Sequence, residues 1–179
     1  MTSSEKSSPA PNLLLALVKA LRPKQWTKNV LLYAGFLFTL NKKWFLFQPS
    51  MWDALLQATL ATVIFTALAS GIYLLNDLRD LPHDRLHPTK KRRPIAAGHL
   101  PTWLALVVTL ILEVGGLWGA FALKPGFGWI GLSYVLIQLA YTYSLKHMVI
   151  IDVFVLASGF VLRTVSGVVV LSADISPWL

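Results

Sequence analysis

Apolar runs separated by short polar segments make up most of this chain. Four runs are long enough for membrane-crossing helices, and they lie at residues 54–75, 102–123, 127–145 and 148–171. A fifth run, residues 30–40, is shorter, and snorkelling of Lys42 and Lys43 would extend it toward Phe47. About twenty apolar residues cross the hydrocarbon core as a helix. The pattern therefore predicts an all-α, polytopic transmembrane helix bundle with about five spans.

Two segments precede the first span. Residues 1–12 are polar and lack the apolar core of a signal peptide, which predicts a disordered cytoplasmic tail. Residues 13–21 are apolar apart from Lys19 and too short to cross, so we expect an amphipathic helix that lies on the membrane surface. Residues 13–179 then form one transmembrane domain.

Composition supports a membrane protein and excludes several function classes. Hydrophobic residues make up 55% of the chain and charged residues 13%, with a mean hydropathy of +0.61. The absence of cysteine excludes thiolate metal sites and cysteine nucleophiles. The chain has a net charge of +8, and its basic residues lie next to the spans and not in a soluble fold that recognises nucleic acid. We therefore expect no nucleic-acid partner. The membrane surface and phosphorylated substrates suit these cations better.

The stretch LNDLRDLPHDRLHPTKKRRPIAAG, residues 75–98, carries the candidate chemistry. Asp77, Asp80 and Asp84 follow one another at helical spacing, with Asn76 one turn before Asp80. Such like charges repel unless a cation neutralises them. Oxygen ligands favour Mg²⁺, so these four residues are the predicted metal ligands, and the three aspartates the predicted catalytic residues. Pro82 is expected to end the helix near residue 81 and to leave Asp84 in the following loop.

Basic side chains on both sides of the acidic stretch are candidate ligands for substrate phosphate. They are Arg22, Lys24 and Lys28 before the first span, and Arg85, Lys90, Lys91, Arg92 and Arg93 after the aspartates. The same residues are equally typical of positive charges that anchor the cytoplasmic ends of spans. With a cytoplasmic N-terminus, twelve basic residues fall inside and only Lys42, Lys43 and Lys124 outside. This asymmetry places the acidic site at the cytoplasmic face.

The last run contains two charged residues, Asp152 and Arg163. A charge at mid-bilayer costs roughly 2.5 to 3.5 kcal/mol, so both are expected to face protein or water. On one helix they are separated by about 20° of rotation and ~16 Å of rise. We expect them to line one cavity and to bind substrate there.

The motif NDLRDLPHD and the downstream RPIAAG together resemble the first aspartate-rich motif of the UbiA superfamily of intramembrane prenyltransferases. The segments RPKQWTKN and HPTKKRRP are similar to those of its decaprenyl-phosphate phosphoribosyltransferase branch. YSLKH resembles the Tyr and Lys pattern of a family helix end, which makes Lys146 a further candidate phosphate ligand. The alternative for Lys146 is an anchor at a two-helix turn.

The resemblance implies an integral-membrane, Mg²⁺-dependent transferase in a bacterial inner membrane. In that branch, 5-phosphoribose passes from phosphoribosyl diphosphate to a polyprenyl (decaprenyl) phosphate, for cell-wall biosynthesis. The alternatives are a prenyltransferase that acts on an aromatic or other acceptor, and an inactive fragment or non-catalytic membrane protein. The partners would be the polyprenyl phosphate lipid and the diphosphate donor, and a homo-oligomer is compatible with the sequence.

The chain also departs from that superfamily. Its members usually have about nine spans and a second aspartate motif in the later half, whereas about five spans are predicted here. We therefore expect residues 13–179 to be a C-terminally truncated UbiA-like domain, and the fragment alone to be a candidate for inactivity.

Overall fold

The computed structural model describes residues 12–145 and 149–173 of the chain, and these fold as helices without a strand. Helix α1 is followed by a 3₁₀ helix and by the short α2, and the long α3 leads through α4 and a 3₁₀ turn to α5, α6 and α7. The bounds are α1 Leu13–Ala20, the 3₁₀ helix Pro23–Leu32, α2 Tyr33–Phe38, α3 Pro49–Arg79, α4 Leu81–Leu86, the 3₁₀ turn Lys90–Arg92, α5 Thr102–Leu123, α6 Pro125–Ala140, a π-helical turn Tyr141–Leu145 and α7 Val149–Val170. The predicted helix bundle is confirmed.

Three helices of the described part are long and apolar enough to cross a membrane, namely α3, α5 and residues Ile150–Val170 of α7. The predicted run 102–123 matches α5 at both ends. Helix α6 has 16 residues before it changes to the π-helical turn. Residues 30–40, expected as the first span, are divided between the 3₁₀ helix and α2. The count of about five spans therefore stays a prediction.

Helix α1 forms where an interfacial helix was expected. Its N-cap Asn12 accepts hydrogen bonds from the backbone N–H groups of Leu14 and Leu15, which satisfies two of the free donors of the first turn. Ala16 and Ala20 are buried against the C-terminal end of α3 and the N-terminal end of α5, while the leucines at the start of α1 are exposed. This arrangement is what an amphipathic helix on a membrane surface requires.

The main core lies where α3 packs against α5, α6 and α7. Its largest fully buried side chains include Phe65, Leu68, Ile72 and Phe127. Between α7 and the 3₁₀ helix the backbones touch, because a Cβ atom on Gly167 would lie 1.9 Å from the carbonyl oxygen of Leu32. This close approach fixes the segment that carries Arg22 and Lys28 against the bundle.

The end of the bundle away from the aspartates carries Lys124, between α5 and α6. Its Nζ donates hydrogen bonds to the carbonyl oxygen of Val170, at 3.2 Å, and to the hydroxyl of Ser172. Burial and the nearby charge of Lys43 lower the pKa of Lys124. Lys43 and Lys124 therefore lie close together, at the end that the charge asymmetry places outside.

Some sequence predictions fall outside the described residues. They are the structure of the N-terminal tail before Asn12, the role of Lys146, and the chain after Ala173.

Candidate functional site

Asp77 is the centre of the candidate site. It lies in the last turn of α3, and only 3% of its side chain is exposed. Its Oδ1 atom accepts hydrogen bonds from Nη2 of Arg22, at 2.5 Å, and from Nη1 of Arg93, at 3.1 Å. A carboxylate buried to this degree requires such paired donors. The structure thus joins the acidic motif to both of the basic segments that flank it in sequence.

Asp84 belongs to the same cluster. Its Oδ2 accepts a hydrogen bond from Nη1 of Arg93 at 2.7 Å, so that one guanidinium nitrogen bridges Asp84 and Asp77. The expected position of Asp84 in a loop is wrong, because α3 ends at Arg79 and a second helix, α4, begins two residues later. Pro82 lies in the first turn of α4, where a missing N–H costs nothing. The proline therefore starts a helix that turns Asp84 back toward Asp77.

Arg22 reaches Asp77 from a strained backbone. Its φ is 55° and its ψ 63°, the left-handed region that side-chain-bearing residues rarely adopt, at a cost of order 1–3 kcal/mol. Its guanidinium carbon lies 5.0 Å from the centre of the Tyr73 ring, in addition to the bond with Asp77. Strain of this kind is kept where the surrounding contacts hold it.

The 3₁₀ helix after Arg22 is tied to α3 by side-chain hydrogen bonds. Asn29 Nδ2 donates to Thr66 Oγ1 at 2.8 Å, and Trp26 Nε1 donates to Ser70 Oγ at 3.1 Å. Asn29 is only 1% exposed. Trp26 and Asn29 therefore hold this segment against α3.

The remaining residues of the acidic motif lie beside this cluster. Asn76 accepts a hydrogen bond from the hydroxyl of Thr142 in the π-helical turn. Asp80 forms the C-cap of α3, and its backbone N–H donates to the carbonyl oxygen of Asn76 at 2.9 Å. The end of α3, the start of α4 and the end of α6 thus meet at one mouth of the bundle.

The oxygen donors at this mouth are of the class that Mg²⁺ prefers. Among the described residues, no three His, Cys, Asp or Glu side chains converge to form a metal cage by themselves. Mg²⁺ usually takes one or two carboxylates and completes its shell with water and substrate phosphate oxygens. Asp77 and Asp84 already share one cationic group, Nη1 of Arg93, so the space between them accepts positive charge. The residues present therefore suit a magnesium ion bound together with a diphosphate.

Several predicted phosphate ligands do not join the cluster. Their side chains are exposed, and the described part of the structure shows no ion pair for any of them. They are Lys24, Arg85, Lys90 and Lys91. Arg92 is exposed in the same 3₁₀ turn. Among the cations of the described residues, Arg22 and Arg93 are the two that form ion pairs with Asp77 and Asp84.

A cavity of about 200 Å³ extends from Asn76 into the bundle. Asp152 and Arg163 both line it, as the helical spacing predicts, and Lys28 lines it from the 3₁₀ helix. Asp152 accepts a hydrogen bond from the hydroxyl of Tyr141. Polar groups thus continue from the acidic mouth into the interior.

Arg163 lies deepest among these charges, with 5% exposure. Its Nε donates to Asn29 Oδ1 at 2.7 Å and its Nη1 to the carbonyl oxygen of Gly159 at 2.6 Å. The guanidinium also lies over the rings of Phe65 and Tyr134, at 5.1 and 5.2 Å. These contacts hold the cation inside the bundle.

Sequence reasoning missed the neutral residues of the site. Asn29 and Tyr134 accept hydrogen bonds from Arg163, and Tyr141 donates one to Asp152. Thr142 donates to Asn76, and Gln138 lines the cavity. The available signal was the rule that a charge within a span needs polar partners, which directs attention to amides and hydroxyls on other spans. Asn29 is the last residue of RPKQWTKN, and its significance was hidden by the cations beside it.

Comparison with curated proteins gives relatives with a common name. The chain is 39% identical over 178 residues to the decaprenyl-phosphate phosphoribosyltransferase of Mycobacterium tuberculosis. The aligned region covers 99% of this chain and 58% of the relative. The chain is 39% identical over 183 residues to the protein of that name in Corynebacterium glutamicum, covering 98% of this chain and 52% of the relative. The chain thus spans about half the length of the curated relatives it matches.

The fold has counterparts among solved structures. A UbiA homolog from Archaeoglobus fulgidus, bound to GPP and Mg²⁺, superposes with a TM-score of 0.73 over 90% of this chain and 56% of that one, at 23% identity. Residues 29–179 match the UbiA prenyltransferase family. This chain is a member of the UbiA prenyltransferase family.

Proposed function

We propose that this protein works as a Mg²⁺-dependent membrane transferase that moves 5-phosphoribose from phosphoribosyl diphosphate to a polyprenyl phosphate. The observation that carries the proposal is the mouth of the bundle, where buried Asp77 and Asp84 hold the guanidinium groups of Arg22 and Arg93. Carboxylates and arginines on one mouth provide for a metal ion and for phosphate oxygens together. The names of the relatives point to the same transferred group, phosphoribosyl, and to a polyprenyl phosphate acceptor.

The reaction exchanges one bond at the anomeric carbon of the ribose. The bond from C1 to the diphosphate oxygen breaks, and the diphosphate leaves with the electron pair. A phosphate oxygen of the lipid forms the new bond to C1. Positive charge develops on the ribose ring and negative charge on the departing oxygen, so the protein has to stabilise the leaving group and exclude water.

Each residue of the cluster has a proposed part in that task. Asn76, Asp77, Asp80 and Asp84 would hold Mg²⁺, which supplies charge neutralisation for the diphosphate when bound. Arg22 and Arg93 lie at hydrogen-bonding distance from these carboxylates, and their remaining N–H groups are placed to bind phosphate oxygens. The exposed Lys24, Arg85, Lys90 and Lys91, and with them Lys146, are proposed to attract the anionic substrates to the mouth.

The prenyltransferase alternative keeps one supporting observation, the fold shared with a homolog bound to GPP and Mg²⁺. The two candidates differ in the donor, since a prenyl donor carries an apolar chain where the sugar donor carries hydroxyls and a second phosphate group. The cations Lys28 and Arg163 in the wall of the cavity next to Asn76 favour a donor with a second phosphate group, the sugar donor. We also propose that the site faces the cytoplasm of a bacterial inner membrane, where soluble sugar phosphates and Mg²⁺ are available.

The test is a transfer assay in membranes that contain the gene product at full length, with residues 1–179 alone assayed in parallel. Labelled phosphoribosyl diphosphate with polyprenyl phosphate, and labelled prenyl diphosphate with aromatic acceptors, are each supplied with Mg²⁺ or with EDTA. Label that enters lipid from the sugar donor alone, and only with Mg²⁺, supports the proposal. Transfer from the prenyl donor alone contradicts it, and so does the absence of Mg²⁺-dependent transfer from both. Equal activity of the two lengths contradicts the expected inactivity of the fragment.

A further inference from the structure

Two cationic side chains of the cavity have no carboxylate partner among the described residues. The ion pairs of this part of the chain are those of Arg22 and Arg93 with the motif aspartates. The ammonium group of Lys28 instead lies 5.9 Å from the centre of the Phe160 ring. Arg163 contacts an amide, a backbone carbonyl, a phenol and two ring faces, all of which are neutral. Arg163 is buried and Lys28 is partly buried, and neither forms an ion pair with a carboxylate of the described residues.

Arg163 retains the capacity to bind a ligand. A guanidinium has five N–H donors, and the three hydrogen bonds to Asn29, Gly159 and Tyr134 engage three of them. Because the residue is 5% exposed and still lines the cavity, its orientation is set by the protein before a ligand enters. A preorganised buried cation binds an anion without the entropic cost of ordering a flexible side chain.

The cavity wall contains one carboxylate, Asp152, which accepts a hydrogen bond from Tyr141. With Lys28 and Arg163 the wall is positively charged overall, and its other polar groups belong to Tyr73, Tyr134, Gln138 and Asn76. Hydroxyl and amide groups of this kind bind sugar hydroxyls. The rest of the wall is apolar and consists of Val155, Leu156, Gly159 and Phe160. The cations and the hydroxyl and amide groups are the part of the lining that suits a phosphorylated sugar.

We infer that Lys28 and Arg163 form a second anion site, which binds the 5-phosphate of the sugar donor while the diphosphate occupies the mouth at Asp77. The inference rests on the proposed function, since that donor carries phosphate groups at both ends of the ribose. Asn76 belongs both to the acidic motif and to the cavity wall, so the two anion sites adjoin. A prenyl diphosphate has no group for the second site, and Lys28 and Arg163 thus select the donor.

The ligand chemistry recognised here is a phosphate monoester, which the lipid acceptor also carries. The inner site is assigned to the sugar phosphate because the tyrosine hydroxyls and Gln138 in its wall can bind ribose hydroxyls, which a prenyl chain lacks. Direct binding separates the two sources. The purified protein in detergent is titrated with ribose 5-phosphate, with ribose and with geranyl phosphate, in EDTA so that the metal site does not contribute.

Ribose 5-phosphate is expected to bind at least about tenfold more tightly than either of the other two ligands. A difference of this size is what one hydrogen bond to a charged group contributes to binding. Lys28→Gln is expected to remove this preference and Lys28→Arg to restore most of it. Lys19→Gln is the matched control, since Lys19 is an exposed cation of α1 that lies outside both sites. Equal binding of ribose and ribose 5-phosphate, or equal losses in the Lys28 and Lys19 variants, would overturn the inference. Tighter binding of geranyl phosphate would overturn the assignment to the donor.

Kinetics in membranes provide the second readout. Lys28→Gln is expected to raise KM for phosphoribosyl diphosphate by about 10- to 100-fold with a smaller change in kcat, and to leave kcat/KM for ribosyl diphosphate, which lacks the 5-phosphate, unchanged. An equal loss for both donors contradicts the inference. If ribose 5-phosphate binds as expected and no phosphoribose is transferred to lipid, the anion site stands and the proposed function fails.

Discussion

Asp77 and Asp84 share the bridging arginine, but Asp77 also accepts a hydrogen bond from Arg22. Replacing Asp77 by Asn removes the carboxylate that Arg22 contacts and one of the two that Arg93 contacts, whereas Asp84→Asn removes one carboxylate contact of Arg93. We therefore expect Asp77→Asn to lower the free energy of unfolding by about 1–3 kcal/mol, and by more than Asp84→Asn does. Thermal unfolding in detergent measures the difference.

The matched control for both variants is Asp53→Asn. Asp53 is exposed at the other end of α3, and a surface substitution of this kind is expected to stay within about 0.5 kcal/mol of the wild type. A larger loss for Asp84→Asn than for Asp77→Asn would show that Arg22 does not contribute to the cluster as its geometry indicates.

Glu113 presents the opposite situation, a buried carboxyl group without a partner. Both of its oxygens are buried and lack a hydrogen-bond partner among the described residues, and Oε1 lies where a Cβ atom on Gly71 would clash, at 2.4 Å. An unsatisfied buried polar group costs about 1–3 kcal/mol. Glu113→Leu is therefore expected to raise the unfolding temperature in detergent. A fall in that temperature would show that the carboxyl group has a stabilising partner.

At the scale of elements, the packing of α7 depends on Gly167. Because a Cβ atom there would lie 1.9 Å from the backbone oxygen of Leu32, Gly167→Ala should separate α7 from the 3₁₀ helix. The expected loss of stability is at least about 1–3 kcal/mol, with a loss of substrate affinity because Lys28 and Arg163 lie on the two separated elements. Thermal unfolding and ligand titration measure the two effects.

Gly115 offers the control for that substitution. Nothing lies within 4 Å of a Cβ atom on Gly115, which is also in a helix. Gly115→Ala is therefore expected to leave the stability unchanged or to raise it by up to about 1 kcal/mol, as the helix propensity of alanine predicts. A similar loss in both variants would indicate a general effect of alanine in these helices and would contradict the role of the close contact.

Apolar runs predicted a helix correctly where the tertiary packing agrees with the local sequence pattern. Helix α5 is bounded by Pro101 and Lys124, and its predicted and observed ends coincide. The Asp80–Pro82 region was predicted in part, because α3 ends at Arg79, close to the expected break near residue 81, but a second helix, α4, follows where a loop was expected. A proline is compatible with both outcomes, and only the later contact of Asp84 with Arg93 distinguishes them. That contact cannot be predicted from the sequence alone.

The candidate site was predicted in its residue types but not in its pairings. The spacing of the aspartates is a local property, whereas Arg22 and Asp77 are 55 residues apart, and Arg163 and Asn29 are 134 apart. Such pairs depend on how α7 and the 3₁₀ helix pack on α3. The sequence therefore indicated which charges need partners, while the tertiary structure supplied the partners.

At the scale of the whole molecule, the distribution of positive charge predicts a cytoplasmic acidic site. Residues 1–179 contain no cysteine, so a single thiol introduced into this chain is its one reactive thiol and can test the orientation. Thr89→Cys, in the exposed loop after α4, is expected to react with an impermeant maleimide only from the cytoplasmic side. Lys42→Cys, exposed at the other end, should react only from outside. The reverse pattern would contradict the orientation.

We propose that the group transferred from the diphosphate at the Asp77 cluster is a sugar phosphate and not a prenyl group. The most direct measurement uses phosphoribosyl diphosphate labelled with ¹⁴C in the ribose and with ³²P in the diphosphate, supplied with polyprenyl phosphate and Mg²⁺ to membranes containing the full-length protein. We expect ¹⁴C to enter the lipid and ³²P to be released into the aqueous phase as free diphosphate, and both the transfer and the release to disappear with EDTA or with Asp77→Asn. Lipid that carries ³²P, or ¹⁴C transfer that persists in the Asp77 variant, would contradict the account.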